Sequence, residues 1–250
     1  MPTELLHGKS VLVTGGAKRI GREIALCLGQ AGADVAITYR TSPSEAALTV
    51  REIEALGRRA MAIECDVRSE ASVRQAVATV DARYGRLDLL VNNAAVFDSG
   101  ALEQVSLAQW DMVFETNTRG PFLVAREALR HLRAVRGRIV NIGSLGGIRA
   151  WAGHAHYCAS KAALHMLTQT MAKAFAPEVS VNCVAPGWIE IEPFDADKGP
   201  DGDARRIAAR TPMRRNGTAE DVAQAVLFFA TGPSFVTGQI LAVDGGLGLN

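Results

Sequence analysis

The sequence predicts an α/β fold, a doubly wound parallel sheet of seven strands with helices on both faces. Three observations predict it. Seven short apolar runs recur along the 250 residues. Each run is rich in Val, Ile or Leu and apolar nearly throughout instead of alternating, which marks strands buried on both faces, as in a parallel sheet. Between the runs lie segments of helical period, long enough for right-handed crossovers.

The elements follow in order. Val11–Val13 is the first strand, and a helix over Ile20–Gln30 follows it. Asp34–Tyr39 leads to a helix over Ser44–Leu56, and Ala60–Cys65 leads to one over Glu70–Tyr84. Leu87–Val91 precedes a long helix, Leu107–Arg133, and Arg138–Ile142 precedes Ala159–Ala176. Val179–Val184, a helix over Ala219–Phe229 and a last strand at Gln239–Val243 complete the pattern. Ser69 caps one helix, with Ser72 and acids in its first turn, and Gly32, Gly57 and Gly85 sit where helices should stop. Thr218, followed by Glu220 and Asp221, is an N-cap with acids at the positive helix end. The stretch from about Glu190 to Asn216 lacks clear periodicity and reads as a lid or binding loop. No linker or repeat interrupts the chain, so the expectation is one Rossmann-like domain over residues 1–250.

Composition narrows the function classes. A formal net charge of +1 leaves no electrostatic footprint for nucleic acid or an anionic membrane. No run reaches the roughly 18 apolar residues of a membrane span. The first residues, with Glu4 and no apolar core, do not read as a signal peptide. Cys27, Cys65, Cys158 and Cys183 show no metal-ligand spacing and read as small buried side chains in a reducing compartment, the cytoplasm. No metal is expected.

The strand Val11–Thr14 runs into Thr14-Gly15-Gly16-Ala17-Lys18-Arg19-Ile20-Gly21 and then into a helix. Such a turn lets the backbone approach a pyrophosphate, while the helix end supplies N–H donors and a positive dipole. A nicotinamide dinucleotide without a 2′-phosphate usually meets an acid at the end of the second strand. Here that end reads Tyr39-Arg40-Thr41-Ser42. Arg40 and Arg19 would flank a 2′-phosphate, with the Thr41 and Ser42 hydroxyls as further donors, so NADPH is expected.

At this point the chain resembles the short-chain dehydrogenase/reductase family over essentially its whole length. Beyond the glycine turn, the resemblance rests on Cys65-Asp66-Val67, whose Asp66 would meet the adenine ring, and on Asn92-Asn93-Ala94-Ala95 after the fourth strand. Ala95 stands where the family has glycine. Asn117 matches a helix asparagine, Ser144 stands 13 positions before Tyr157, and Tyr157-Cys158-Ala159-Ser160-Lys161 is the tyrosine–lysine motif. Pro186-Gly187 follows the sixth strand, and Val236-Thr237-Gly238-Gln239 leads to the last. The resemblance implies cofactor contacts from Gly15, Lys18, Arg19, Ile20, Gly21, Arg40, Thr41, Ser42, Asp66, Val67, Asn93, Ala94, Ala95, Tyr157, Lys161, Pro186, Gly187 and Ile189. It implies catalysis by Asn117, Ser144, Tyr157 and Lys161. Ile191 occupies a place where the family often has a hydroxyl that contacts the nicotinamide amide.

These residues suit proton transfer. Tyr157 and Lys161, four apart on a predicted helix, share one face. A nearby ammonium favours the phenolate and should pull the tyrosine down from its free value near ~10. In ketone reduction Tyr157 would donate a proton to the carbonyl oxygen while Ser144 hydrogen-bonds it. Lys161 would hold the nicotinamide ribose, and Asn117 a water that resupplies protons.

The substrate stays open between two branches of the family. Lys18-Arg19, Phe97 and Ala176-Pro177-Glu178-Val179 resemble the pteridine reductases, in which an aromatic at the position of Phe97 stacks on the pterin. A serine at 144, where that branch commonly has aspartate, suits a carbonyl as in 3-oxoacyl-carrier-protein reductases, and a carbonyl substrate is the preferred reading. The alternatives are a pteridine reductase and a non-catalytic NADPH-binding sensor. Phe97, Ser144, His154, Tyr157 and Trp188 are the expected substrate contacts, with His154 and His156 as loop residues at the mouth. Arg126, Arg130, Arg133 and Arg136 could dock an acidic acyl carrier, whereas Glu190, Glu192, Asp195 and Asp197 disfavour a strongly anionic small substrate. The resemblance also implies a homotetramer built on the long helices after strands four and five.

Overall fold

The computed structural model describes residues 4–191 and 203–249. Strand β1 (Ser10–Val13) pairs with β2 (Asp34–Tyr39) on one side and β4 (Leu89–Asn92) on the other. β3 (Ala60–Glu64) lies outside β2, while β5 (Arg138–Ile142), β6 (Ser180–Pro186) and β9 (Ile240–Val243) continue beyond β4. The order is β3-β2-β1-β4-β5-β6-β9 with every pairing parallel, the seven-stranded doubly wound sheet that the apolar runs predict.

Alternation within the strands builds two cores. Val11 and Val13 of β1, with Leu89 and Val91 of β4, pack on one face with Ile24 and Leu28 of α1 (Arg19–Gln30), Ile53 of α2 (Pro43–Ala55) and Val226 of α8 (Ala219–Thr231). Leu12 and Leu90 point to the other face. There they meet Val77 and Val80 of α3 (Glu70–Tyr84), Val124 and Leu132 of α5 (Gly120–Val135), and Met171 of α6 (Ala155–Phe175). A period of two in strands and 3.6 in helices places these side chains together.

The expected stops and starts are present. Gly32, Gly57 and Gly85 hold φ of 103°, 77° and 70°, a left-handed region that costs glycine little. Ser69 accepts the Ser72 N–H, and Thr218 forms a capping box with Asp221. Arg215 also grips Asp221 and holds its carboxyl well below the usual range.

Four local readings are corrected. The helix expected over Leu107–Arg133 is α4 (Leu107–Phe114), a π turn at Glu115–Arg119, and then α5. The wider turn is invisible to an apolar period, because the chain stays helical through it. Helix α6 begins at Ala155, four residues before the predicted start, so Tyr157 lies in its first turn. The 190–216 stretch is not wholly irregular: Asp203–Arg210 forms the short helix α7, and β7 (Ile189–Glu190) pairs with β8 (Gly217–Thr218). Residues 192–202 of that expected lid, with Glu192, Asp195 and Asp197, lie outside the described residues. Cys158 is only half buried, whereas Cys27, Cys65 and Cys183 are buried as expected.

Candidate active site

The crossover after β1 leaves to one face of the sheet and that after β4 to the other. Open α/β sheets bind ligands in the crevice this reversal creates. Here it is a cleft of about 560 Å³.

One end is built on the glycine turn. The Thr14 hydroxyl accepts the N–H groups of Asn93 and Ala94, both at 3.0 Å. The Asn93 amide donates back to the carbonyls of Thr14 (2.9 Å) and Gly15 (3.0 Å), tying the turn to the segment after β4. A Cβ on Gly21 would stand 2.3 Å from the Gly15 oxygen and 2.4 Å from Asn93 Nδ2, so only glycine permits this approach. Helix α1 has no acid in its first turn and no side-chain cap from Lys18. Its leading N–H groups and positive end therefore face the cleft without a competing protein anion. Arg19 holds a φ of 56°, uncommon outside glycine and frequent at binding sites. These features fit a pyrophosphate.

Along the same wall, Lys18, Arg40 and Thr41 are exposed, while Ser42 is buried at the start of α2. Asp66 is forked by Arg68 at 2.6 Å, and that hydrogen bonding, with a smaller contribution from Arg40, holds its carboxyl below the usual range. The wall also takes in Ile20, Val67, Ala94, Ala95, Pro186, Gly187 and Ile189, all expected. Thr38, whose hydroxyl accepts the Gly15 N–H at 3.1 Å, was not legible in the sequence. Its signal was weak: one hydroxyl in an apolar strand.

At the other end Ser144 leaves β5 in extended conformation and accepts the Gly146 N–H at 3.0 Å. Lys161, one turn after Tyr157 on α6, is 2% exposed. Its ammonium donates to the Ile142 carbonyl at 2.8 Å and lies 5.8 Å from the Tyr157 ring centre. Burial pushes Lys161 down to about 8, partly opposed by Cys183. The expected depression of Tyr157 by Lys161 is not found. Burial raises the Tyr157 phenol, Ser144 opposes this and Cys158 adds to it. Desolvation dominates because the phenolate would be taken out of water.

Asn117 lies inside the π turn and stands behind the wall. Its Oδ1 accepts the Val96 N–H at 2.9 Å, and its amide hydrogens go to the Val96 carbonyl (2.9 Å) and Ser160 Oγ (3.1 Å). The water expected there is left one lone pair of Oδ1. Behind Ser144 sits a residue missed in the sequence, His165. Burial and Lys161 push it down to about 4, with the Gly147 backbone opposing. A neutral ring suits its place, since the Ser144 N–H points to Nε2 at 3.4 Å. A Cβ on Gly143 would lie 2.2 Å from that nitrogen, and one on Gly147 would lie 2.6 Å from Cε1. The glycines flanking Ser144 were the available signal.

Phe97 and Trp188 line the same end, with Trp151, which was not foreseen. His154 is not in the wall; it stacks behind Trp151 with ring centres 3.7 Å apart. His156 is no mouth residue either. It is fully buried on α6 and pairs through Nε2 with Asp98 at 3.2 Å, because the earlier helix start turns it inward. Arg126 pairs with Glu70 and Arg130 bonds His131, so two of the four arginines offered for a carrier are engaged. Among the described residues no helix is long and apolar enough to cross a membrane.

A family model described as enoyl-(acyl carrier protein) reductase matches residues 15–248. The chain is 37% identical over 249 residues to 3beta-hydroxysteroid dehydrogenase 1 of Eggerthella lenta, covering 98% of this chain and 95% of that protein. A short chain dehydrogenase from Burkholderia cenocepacia, solved in complex with NADP, is 42% identical with a TM-score of 0.89, covering 97% of this chain and 98% of that one. A blue fluorescent protein from a metagenomic library, solved with NADPH, is 38% identical with a TM-score of 0.90, at 97% and 98% coverage. The glycine turn, the strand order and these likenesses together make the chain a member of the short-chain dehydrogenase/reductase family of oxidoreductases.

Proposed function

We propose that the protein is an NADPH-dependent carbonyl reductase in which Tyr157 donates the proton. The observation that carries this reading is that Ser144, Tyr157 and the buried Lys161 line one end of the cleft that begins at the glycine turn. The bound nicotinamide supplies the hydride. A carbonyl oxygen between Ser144 and Tyr157 receives a hydrogen bond from the first and a proton from the second as its negative charge develops. Burial supports this role, since a phenol raised above its ordinary value stays protonated at neutral pH. Lys161 is charged at neutral pH, with a value of about 8, and is placed to return a proton to the phenolate and to hold the ribose.

Arg19, Arg40 and Lys18, with no acid at the end of β2, support the phosphorylated cofactor over NADH. Neighbours solved with NADP and NADPH support the same choice. The names of the relatives diverge in substrate, so likeness alone does not select one. Engagement of Arg126 and Arg130 weakens an acyl-carrier partner. Exposed Trp110 and Phe122 on α4 and α5, after β4, support the homotetramer expected through the helices after strands four and five; four free cysteines support a cytoplasmic location, and one continuous seven-stranded sheet supports a single domain.

The test follows NADPH absorbance against simple ketones, acetoacetyl and 2-enoyl thioesters, and quinonoid dihydropterin, with Tyr157→Phe beside the native chain. Ketone turnover lost in Tyr157→Phe is expected. Turnover of the pterin or enoyl substrates alone would replace the carbonyl reading, and tight NADPH binding without any turnover would favour a sensor.

A further inference from the structure

Four aromatic rings gather at the end of the cleft that holds Tyr157. Phe97 meets the Tyr157 ring edge-on at 4.9 Å and stacks on His154 at 5.0 Å. Trp151 lies 3.7 Å from His154 and 6.1 Å from Trp188. The stacking on His154 braces both rings without burying them. Phe97 is 59% exposed and Trp151 41% exposed, although both line the cleft. Large aromatic side chains left in water beside a reactive phenol gain free energy when an apolar face covers them.

Charge is distributed unevenly along the same wall. Lys18, Arg19, Arg40 and Asp66 belong to the glycine turn and to the ends of β2 and β3, and Lys161 is buried beside Tyr157. Among the described residues that line the cleft around Phe97, Trp151 and Trp188 none is charged; neighbouring Asp98 stands outside the lining and is paired with His156. An anionic substrate would lose its hydration there without a counter-charge. A flexible chain would lose rotamer freedom for less ring contact.

We propose that the substrate is a flat, uncharged, apolar ring ketone, packed by one face against the exposed parts of Phe97 and Trp151 with its carbonyl directed to Ser144 and Tyr157. This rests on the carbonyl-reductase reading and names its substrate class. Phe97 and Trp151 are the specificity-determining residues, and Trp188 closes the far side.

The probes are trans-1-decalone and 2-tetralone against 2-decanone, of the same carbon number, and the acetoacetate anion. The native chain should turn over the ring ketones with kcat/KM at least about tenfold above 2-decanone, the effect of ~1.4 kcal/mol of added contact. Trp151→Leu and Phe97→Leu should each narrow that ratio severalfold, mostly through KM. Both residues are exposed enough for the variants to fold. In parallel, quenching of tryptophan fluorescence by decalone, without turnover, reports binding beside Trp151 and Trp188. Preference for 2-decanone or acetoacetate, or a ratio unchanged in both variants, overturns the substrate class and leaves ketone reduction standing. Saturable quenching with no ketone reduced overturns ketone reduction and leaves the ring-binding wall standing.

Discussion

The Lys161 ammonium donates to the carbonyl oxygen of Ile142 at 2.8 Å, almost wholly out of water at the end of β5. That bond satisfies one of its three donors, and burial pushes the group down to about 8. Below pH 8 the lysine is charged in both folded and unfolded chains, and folding bears the whole desolvation penalty. Above pH 8 the folded lysine loses its proton while the unfolded one keeps it to about 10.4, so the penalty is relieved as pH rises. Relative to Lys161→Met, the native chain should gain stability from pH 8 to 10 by on the order of 1 kcal/mol per pH unit. Comparing the two in urea at several pH values isolates this from the buried thiols and phenols, which titrate in both. A pH-independent difference would contradict it.

Arg40 is an exposed cation at the end of β2 that also helps hold Asp66 ionised. Arg40→Asp places an acid where a 2′-phosphate would sit and removes a charge-assisted partner worth about 1.5–3 kcal/mol. The ratio of kcat/KM for NADPH to that for NADH should fall by roughly a hundredfold. Fluorescence titration with each nucleotide checks the same shift without turnover. An unaltered ratio would remove Arg40 from cofactor choice.

Asn117 closes two hydrogen bonds on the Val96 peptide and one on Ser160. Asn117→Ala strands those groups in a buried place, at about 1–3 kcal/mol each and less than additively. The expected loss is roughly 2–4 kcal/mol, read as a lower urea midpoint with an unchanged slope. Because Val96 adjoins Phe97, ring-ketone KM should rise as well.

Gly143→Ala would put a methyl group 2.2 Å from His165 Nε2 and 2.7 Å from Cys183 Sγ. Overpacking of this kind costs about 1–3 kcal/mol. Calorimetry should show a lower Tm, and the double variant with His165→Ala should recover part of it. No recovery would mean that the strain falls on the backbone or on Cys183.

Much of the fold was legible because its signals are local. Asp34–Tyr39 and Arg138–Ile142 match their predicted ranges, since a continuous apolar run between glycine-rich turns leaves little else for the chain to form. Errors gather where helical period continues through altered geometry, as at Glu115–Arg119, or where a helix begins without a capping side chain, as at His154 before α6. In the cleft, the residues named from motifs were found lining it, apart from Asn117 and His154 behind the wall. Thr38, Trp151 and His165 were missed because each reaches the site across the fold and belongs to no motif.

The sequence by itself determined the number of parallel strands, the glycine turn that a Cβ would block, and the spacing of Ser144, Tyr157 and Lys161. Periodicity, caps and glycine positions depend on neighbours within a few residues, so they can be read along the chain. Only the tertiary structure decided which aromatic rings face Tyr157, that His156 turns inward to Asp98, and that burial raises the tyrosine despite a lysine one turn away. Those outcomes depend on distance and desolvation between segments far apart in the chain, as between Asp98 and His156, 58 positions apart, and sequence spacing specifies neither.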